Sequence, residues 1–349
     1  MHLSSLQIKN FRMLEDFQVK KLGKVNLIVG KNNSGKSTVL EALRIYAGNA
    51  NPVLLKEIEL EHDENSSFPL HFESFFQGRG FPYKEGKEDT IFIGENNSQK
   101  FITLRPVTVL TSRTELPNGG FTEARKIEHI TRIGQAGSIA TVEMITNVGG
   151  KESYFNLNDP IEKPKSTFDV AAYIPTQLLS QDELAIEWGK LNSEQEKLVI
   201  EMLQIIATGV SGIKASQDII KINLNGQYVP LRSMGEGIYR ALQIAIKAIL
   251  AKDGFLLIDE FENGLHYSVQ EEIWNWLFEL ADKFNIQIFA TTHSWDCVTK
   301  FAKVATQRQE GVLFRTGISV RDSNKGQVIA TEFTPERLSN LTEADIDVR

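Results

Sequence analysis

A glycine-rich segment at residues 30–37 limits this chain to few folds, because it reads Gly-Lys-Asn-Asn-Ser-Gly-Lys-Ser. The apolar run at 25–29 leads into it, and apolar residues at helical spacing follow it from 38 to 46. A strand, a glycine loop and a helix in this order form the context that a phosphate-binding P-loop requires. The glycines let the backbone approach an anion closely, and the helix presents its positive N-terminal end. The segment therefore predicts a nucleotide-binding site.

The residue types in this loop have separate tasks. Lys36 is predicted to reach the β- and γ-phosphates, and the Ser37 hydroxyl is predicted to bind Mg²⁺. The other residues predicted to contact the nucleotide surround these two, and they are Gly30, Asn32, Asn33, Ser34, Gly35 and Thr38. The alternative interpretation is an exposed turn before a surface helix, but few such turns keep this full spacing between an apolar strand and an amphipathic helix.

Composition sets limits on the compartment and on the partners. The 349 residues are 41% apolar, which is enough for one large domain or two modest ones with a full core. A formal charge of −7 excludes a uniformly basic nucleic-acid-binding coat, although it leaves room for a local basic patch. Cys297 is the single cysteine, so no internal disulfide forms. With no membrane-length apolar run and no signal pattern, these features predict a cytoplasmic protein.

A second informative segment ends in two acids. The apolar run at 255–258 leads directly into Asp259 and Glu260, as a central parallel strand does when its carboxyl end opens on a site. Burying two unpaired carboxylates is costly, and Mg²⁺ removes that cost. Asp259 is therefore predicted to bind the ion through water, and Glu260 to orient or deprotonate the attacking water.

Other polar residues have two possible interpretations each. His293 follows the next apolar strand, at 287–290, where a sensor of the γ-phosphate belongs, although a lone histidine is usually an ordinary hydrogen-bonding residue. Arg12 is either a surface charge or a neighbour of the nucleotide. Gln77 and Gln177 are both candidates for a glutamine that senses Mg²⁺ and the γ-phosphate, and the sequence leaves the choice open.

The remaining pattern predicts an α/β fold with an additional β-rich lobe. An opening strand at 3–8 is expected to pair with the strand before the P-loop, and residues from about 51 to 167 predict an inserted antiparallel sheet. One long helix or two short ones are expected over 182–207, and Asn225-Gly226 predicts a hairpin. The last elements are a strand pair at 311–316 and 327–333 and a short helix from Thr334.

The ordered set of motifs resembles the ABC-type ATPase heads, in particular the branch shared by SMC-like proteins, RecF-like proteins and the ATPase part of OLD-family nucleases. The residues that carry the resemblance are 8–12, 29–37, 233–237, 255–266 and 293. It implies a P-loop NTPase with a mixed central sheet, helices and an antiparallel β lobe. Residues 1–50 and about 168–349 would form the nucleotide-binding core of one head that spans 1–349.

The resemblance also implies roles. Lys36 and Ser37 match the Walker A lysine and magnesium serine, and Asp259 and Glu260 match the Walker B aspartate and the catalytic glutamate. His293 matches the switch histidine. Further matches lie outside these motifs: Arg12 matches a basic residue that approaches the phosphates, residues 233–237 match the signature motif, and residues 262–266 match the loop that crosses the dimer interface. In that signature motif Ser233, Gly235 and Glu236 would contact ATP bound to the opposite subunit, although Met234 departs from the usual Ser-Gly-Gly pattern.

A signature loop that contacts only the partner's nucleotide leaves a lone subunit with half a site. The resemblance therefore implies a head-to-tail homodimer around two ATP molecules and Mg²⁺. SMC-type proteins have a long coiled coil that this chain lacks, and full OLD-family nucleases carry a C-terminal Toprim domain for which the residues up to Arg349 leave too little room. The leading hypothesis is a stand-alone ATPase that controls a separate effector, such as a nuclease in anti-phage defence.

The competing hypothesis is a DNA-binding repair or recombination clamp of RecF-like type. Such a clamp needs a basic groove on the dimer. The inserted lobe offers five basic residues for it: Lys84, Lys87, Arg125, Lys126 and Arg132. Because the whole chain is acidic, these charges are expected to form an ordinary solvated face instead.

Overall fold

A computed structural model of the chain describes residues 2–62, 72–78, 90–115, 121–129, 139–156, 171–216, 219–333 and 337–338. The strands, numbered in chain order, are β1 (Leu6–Phe11), β2 (Leu14–Val19), β3 (Val25–Val29), β4 (Ile91–Gly94), β5 (Phe101–Glu115), β6 (Phe121–His129), β7 (Ile139–Val148), β8 (Lys151–Asn156), β9 (Ala171–Ile174), β10 (Val210–Ser216), β11 (Ile219–Leu224), β12 (Gln227–Pro230), β13 (Phe255–Ile258), β14 (Gln287–Thr292), β15 (Gly311–Ile318) and β16 (Val328–Phe333). The helices are α1 (Lys36–Ala47), α2 (Pro52–Glu61), α3 (Gln181–Trp188), α4 (Ser193–Ile206), α5 (Glu236–Leu250), α6 (Gln270–Lys283) and α7 (Trp295–Arg308).

The central sheet has six strands in the order β16-β15-β3-β14-β13-β9. The five strands β15, β3, β14, β13 and β9 run parallel to one another, and β16 pairs antiparallel with β15 at one edge. Every residue of β3 and β13 is buried. Their continuous apolar sequences are typical of strands that are covered on both faces. The carboxyl ends of β3, β14, β13 and β9 therefore meet at one edge, which is where the predicted site residues follow each strand.

A second, antiparallel sheet of seven strands has the order β2-β1-β4-β5-β7-β8, with β6 paired to β5. The predicted antiparallel strands of the middle region are thus present as β4 to β8. They continue β1 and β2 from the start of the chain in one sheet. The division into a nucleotide-binding core and an inserted lobe stays a prediction.

The pairing predicted for the opening strand is wrong. β1 pairs with β2 and β4, because both edges of β3 are occupied by β14 and β15. A tight turn with left-handed backbone at Arg12, where φ is 51°, folds the chain back so that Phe11 opposes Leu14. The local turn chemistry and the parallel partners of β3 therefore decide this pairing.

Several other predictions are confirmed. Two helices, α3 and α4, fill the predicted helical stretch, and each begins with a capping box, at Ser180 and Asn192. Asn225 and Gly226 both have positive φ and join β11 to β12, as a two-residue hairpin turn requires. The terminal strand pair is β15 and β16, whereas the helix predicted from Thr334 begins outside the described residues.

Side chains of the central sheet alternate between two cores. Leu27 and Leu256 belong to a core that includes α3 to α7, whereas Ile28 and Leu257 belong to a core that includes α1 and the antiparallel sheet. This alternation is the two-residue period of a strand. In the described part of the chain, no helix is both long and apolar enough to cross a membrane.

Candidate functional site

The glycine loop lies between β3 and α1, and a distant strand supports it. Ser34 Oγ lies 2.7 Å from Thr316 Oγ1, and that threonine also donates to the carbonyl oxygen of Val29 over 3.2 Å. A side chain at Gly30 would meet Ser34 Oγ at 2.5 Å and Thr316 Oγ1 at 2.6 Å. Gly35, with φ at 95°, directly precedes α1. The loop is therefore held in the left-handed and close-packed backbone that its two glycines permit.

Lys36 lies across the mouth of this loop. Its Nζ donates to the carbonyl oxygen of Gly30 over 2.8 Å and to that of Lys31 over 3.1 Å. Burial lowers the pKa of Lys36, and the nearby carboxylates of Asp259 and Glu260 oppose that change. The ammonium group thus lies at the glycine loop, and α1, whose first N–H groups have no partner within the helix, begins at Lys36 itself. This arrangement suits the phosphates of a nucleotide.

The Asp259 carboxylate follows β13 and faces the P-loop. Its Oδ2 accepts from Ser37 Oγ at 3.5 Å and from Thr176 Oγ1 at 3.3 Å, and its Oδ1 accepts from Thr291 Oγ1 at 2.6 Å. Neighbouring oxygen ligands of an octahedral Mg²⁺ are separated by about 3 Å, since each lies about 2.1 Å from the ion. Ser37 and Asp259 therefore lie close enough to hold one magnesium ion between them, with Ser37 as a direct ligand and Asp259 binding through water, which stays a prediction.

The Glu260 backbone is held more firmly than its side chain. Its φ is 48°, its N–H donates to Thr291 Oγ1 over 2.8 Å, and its carbonyl oxygen accepts from Arg240 Nη2 at 3.1 Å. The carboxylate is 36% exposed, with Oε1 lying 3.6 Å from His293 Nδ1. A fixed backbone with an accessible carboxylate is what a residue that takes a proton from water needs.

His293 follows β14 and is oriented by Glu262. Glu262 Oε1 lies 3.2 Å from His293 Nδ1 and accepts from the backbone N–H groups of His293 and Ser294 at 2.9 and 3.1 Å. The histidine side chain is 55% exposed. Because Glu262 lies at Nδ1, Nε2 is the ring nitrogen left for a phosphate oxygen, to which it donates when both nitrogens carry a proton. The structure thus brings the three predicted catalytic groups, Lys36, Glu260 and His293, to one edge of the central sheet.

Four residues of this edge were missed from the sequence: Thr176, Thr291, Thr316 and Arg240. The three threonines each contact Asp259 or the P-loop. Thr291 carried a usable signal, because it directly follows the strand predicted at 287–290, as Asp259 directly follows the strand predicted at 255–258. Arg240 carried none, since the sequence predicted only a long, mainly apolar helix around it and no partner for its charge.

Thr291→Val tests the support of the two acids. The substitution keeps the side-chain shape but leaves Asp259 Oδ1 and the Glu260 N–H without the hydroxyl that bridges them. We expect a loss of about 1–3 kcal/mol in the free energy of unfolding. The predicted ATPase activity at limiting Mg²⁺ should fall about 10–100-fold, as for other residues that orient metal ligands.

Thr292→Val is the matched control. Thr292 is equally buried on the same strand, but its hydroxyl accepts from Ser294 N–H and contacts neither acid in the described structure. Denaturant unfolding and a Mg²⁺ titration of activity separate the two variants. An unchanged Mg²⁺ requirement in Thr291→Val would contradict the supporting role.

The predicted signature residues lie apart from this cluster. Residues 233–237, called the signature loop below, lie at the start of α5, which begins at Glu236; Ser233, Gly235 and Glu236 are exposed. Ser233 Oγ donates to the carbonyl oxygen of Pro230 over 3.1 Å. A side chain at Gly237 would meet the Gly264 carbonyl oxygen at 3.0 Å, so the loop packs on the segment after Glu262.

Arg12 is directed at α1. Its Nε lies 2.8 Å from Glu41 Oε2, and its guanidinium carbon lies 5.2 Å from the centre of the Phe75 ring. Glu41 stands one helical turn after Ser37, so Arg12 lies beside the start of α1 and is paired with a carboxylate. Its predicted approach to the phosphates stays a prediction that would require this ion pair to open.

The two candidate glutamines lie in different places. Gln77 is exposed, and its N–H donates to the Asn10 carbonyl oxygen over 3.2 Å in the antiparallel sheet region. Gln177 follows Thr176 at the carboxyl end of β9, beside β13. Since Thr176 contacts Asp259, position favours Gln177 as the sensing glutamine.

Of the five basic residues considered for a DNA-binding groove, the structure describes the side chain of Lys126 alone. Its Nζ lies 2.7 Å from Glu128 Oε1 on the same strand. Lys84, Lys87 and Arg132 lie outside the described residues, as does the side chain of Arg125. The described residues of the lobe therefore provide no specific evidence for a DNA-binding groove.

Comparison with known proteins places this geometry in a family. The sequence model of the AAA ATPase domain family matches residues 1–77 and 162–298, the two segments that hold the P-loop and the Asp259 cluster. The chain is 25% identical over 335 residues to an ATP/GTP phosphatase of Helicobacter pylori, covering 88% of this chain and 89% of that protein. It is 24% identical to the OLD nuclease of Thermus scotoductus, covering 84% of this chain and 59% of the nuclease.

A solved structure supports the fold. The SMC head bound to the C-winged helix domain of ScpA superimposes with a TM-score of 0.53 at 12% identity, covering 97% of this chain and 100% of that structure. The predicted fold class, an α/β P-loop head of the ABC type, is confirmed by this likeness and by the mixed central sheet.

Proposed function

Because this chain belongs to the AAA ATPase domain family and is an ABC-type ATPase, we propose that two copies close head to tail around two nucleotides and so control a separate effector protein. Each copy would complete the other's site with its signature loop. The nucleotides are ATP, bound with Mg²⁺ in the cytoplasm. Closure follows ATP binding, and hydrolysis or product release separates the copies.

The observation that supports the dimer most is the exposure of the signature loop. Ser233, Gly235 and Glu236 face solvent, and in the described structure no hydrogen bond or ion pair joins this loop to residues 30–38. A glycine-rich loop before a helix N-terminus can bind an anion, but this one is not used within its own subunit. A second copy whose nucleotide lies against the loop would use it.

Within each site the residues of this chain have separate roles. Ser37 and Asp259 would hold Mg²⁺, which supplies charge neutralisation at the phosphates. Lys36 binds the same phosphates, and Glu260 accepts a proton from the attacking water. When both ring nitrogens carry a proton, His293 can donate from Nδ1 to Glu262 and from Nε2 to the γ-phosphate. These groups position water and phosphate and need little further covalent chemistry from the protein.

The effector is proposed from the relatives. The match to the OLD nuclease covers 59% of that protein, so a large part of it has no counterpart in the matched region. We propose that the corresponding activity is supplied to this ATPase by a separate partner, a nuclease that acts in anti-phage defence. Co-purification from the native host identifies the partner; recovery of DNA bound in an ATP-dependent and salt-sensitive manner, without a nuclease, would favour the RecF-like clamp instead.

Ser233→Arg tests the dimer. A bulky charged side chain at an ATP-facing loop would cost ~3 kcal/mol or more in the closed dimer, so turnover should fall about 100-fold. ATP affinity of the single subunit should stay within about 3-fold, because Ser233 does not contact its own P-loop. Analytical ultracentrifugation with ATP and a filter-binding assay measure the two quantities.

Ser211→Arg is the matched control, since Ser211 is an exposed serine on β10 near the Asn225-Gly226 turn, at the opposite end of the β10-β11-β12 sheet from Pro230 and the signature loop. It should dimerise and turn over ATP as the unmodified chain does. A Ser233→Arg protein that dimerises and hydrolyses ATP normally would rule out the proposed arrangement.

A further inference from the structure

Arg240 is a buried cation that reaches three backbone carbonyl groups of the catalytic edge. Its side chain is fully buried; Nη1 donates to the Pro175 carbonyl oxygen over 2.6 Å, and Nη2 donates to those of Asp259 and Glu260 over 2.7 and 3.1 Å. Burial lowers the pKa of Arg240 to about 10, against the attraction of the Asp259 and Glu260 carboxylates. A charge buried at this cost is kept in place by all of these partners together.

The helix that carries Arg240 starts at the signature loop. α5 begins at Glu236, directly after Gly235, so Arg240 lies about one turn into the helix. A displacement of the signature loop moves this first turn as a unit, because the helix is internally hydrogen-bonded and packed in the larger core. The guanidinium group must then either move relative to the carbonyl groups of Pro175, Asp259 and Glu260 or displace these groups in the same direction.

The same helix holds the segment that contains Gln177 at two points. Arg240 binds the Pro175 carbonyl oxygen, and the Tyr239 hydroxyl donates to the Leu179 carbonyl oxygen over 2.7 Å. Gln177 lies midway between these two anchors. Asn263 Nδ2 adds a third contact, donating to the Thr176 carbonyl oxygen over 2.7 Å. The start of α5 therefore contacts both the acidic strand end and the glutamine segment of its own subunit.

We propose that Arg240 is a positioning residue that transmits engagement of the signature loop by the partner copy to Asp259, Glu260 and Gln177 of its own subunit. This inference depends on the proposed dimer. Each chain holds one signature loop and one set of acids, and these serve opposite sites. Arg240 thereby makes the hydrolytic geometry of one site depend on the nucleotide in the other, so that ATP hydrolysis is cooperative.

Arg240→Lys is the informative substitution. It keeps the positive charge, but an ammonium group lacks the rigid fork that binds two carbonyl directions at once. We expect kcat to fall about 100-fold from misplacement of the acids. ATP affinity should stay within about 3-fold, and the ATP dependence of the rate should change from sigmoidal to hyperbolic.

Lys247→Met is the matched control. Lys247 lies two turns further along α5 and pairs with Glu187 over 2.5 Å, away from the acids. It also removes a partly buried cation from the same helix, so it reports the effect of weakened packing alone. It should melt at a lower temperature yet keep the sigmoidal ATP dependence.

A double substitution distinguishes transmission from local damage. If Arg240 transmits the state of the signature loop, Ser233→Ala and Arg240→Lys have less than additive effects on the logarithm of kcat. Additive effects, or a sigmoidal rate in Arg240→Lys, would overturn the inference while leaving the dimer intact. An unmodified chain that stays monomeric with ATP would overturn the dimer and the inference together.

If Arg240→Lys folds poorly, hydrogen exchange in the unmodified protein tests the transmission through Arg240 instead. On ATP-driven dimerisation, amide protons at 176–179 and 259–261 should gain protection together with those at 233–240. Protection confined to the signature loop would contradict transmission through Arg240.

Discussion

A Glu260→Gln chain should bind ATP and close into a dimer, yet turn ATP over about 10²–10⁴-fold more slowly, which is the contribution of a positioned general base. The amide keeps the shape of the side chain but does not accept a proton from water. The substitution does not remove the hydrogen bonds that hold residue 260, because these involve its backbone. Its N–H donates to Thr291 Oγ1, and its carbonyl oxygen accepts from Arg240 Nη2. The ATP-bound state therefore accumulates.

Sedimentation velocity of this variant with ATP and Mg²⁺ measures the accumulated dimer, and phosphate release measures turnover. Glu279→Gln is the matched control, since Glu279 lies on the surface of α6 and pairs with Arg308 at 2.9 Å, far along the chain from the acids. A Glu260→Gln protein that remains monomeric at high concentration would count strongly against closure around ATP. Near-normal turnover would show that another group deprotonates the water.

Gly30→Ala should abolish nucleotide binding, with an affinity loss of about 100-fold or more, equivalent to ~3 kcal/mol. The new Cβ would lie 2.6 Å from the backbone oxygen of Thr316 and at similar distances from Ser34 Oγ and Thr316 Oγ1. It would also force φ away from 150°. Because Ser34 and Thr316 together support the loop, relief of this overlap moves the whole phosphate-binding backbone.

Gly317→Ala provides the control in the adjacent residue of the supporting strand. A Cβ at Gly317 has nothing within 4 Å, and its backbone is not in the left-handed region. Equilibrium binding of a fluorescent ATP analogue compares the two variants, and circular dichroism checks that both fold. Binding by Gly30→Ala within a few-fold of the unmodified chain would mean that the loop accommodates a side chain, contrary to the packing at Thr316.

The catalytic edge could be predicted from the sequence because its chemistry follows strand ends. Asp259 directly follows an apolar run, Lys36 follows one after the glycine loop, and His293 follows one after two threonines. Parallel strands bring such positions to one edge. Nothing in that pattern depends on distant partners. The predicted order of P-loop, acids and histidine therefore matches the observed geometry.

The sequence was less informative where contacts cross the fold. The pairing of β1 depended on which strands occupy the two edges of β3, and these strands, β14 and β15, come from the far end of the chain. Arg240 was hidden in an apolar helix, because a buried cation is recognised only by the carbonyl groups around it. Arg12 was left open between two interpretations, and its pairing with Glu41 depends on a fold that places the first turn against α1.

The parallel neighbours of β3 have a consequence for biosynthesis. Asn26 bonds the backbone of Ile288, which lies 262 residues later, and β15 follows later still. At ribosomal rates, roughly ten to sixty seconds separate the emergence of these partners. In the nascent chain, β3 therefore stays unpaired until β14 and β15 have emerged. Sheets built from such distant strands fold slowly and are exposed to aggregation in the meantime. The nucleotide site, which combines the P-loop with Asp259 and Glu260, is complete only after these two acids have emerged.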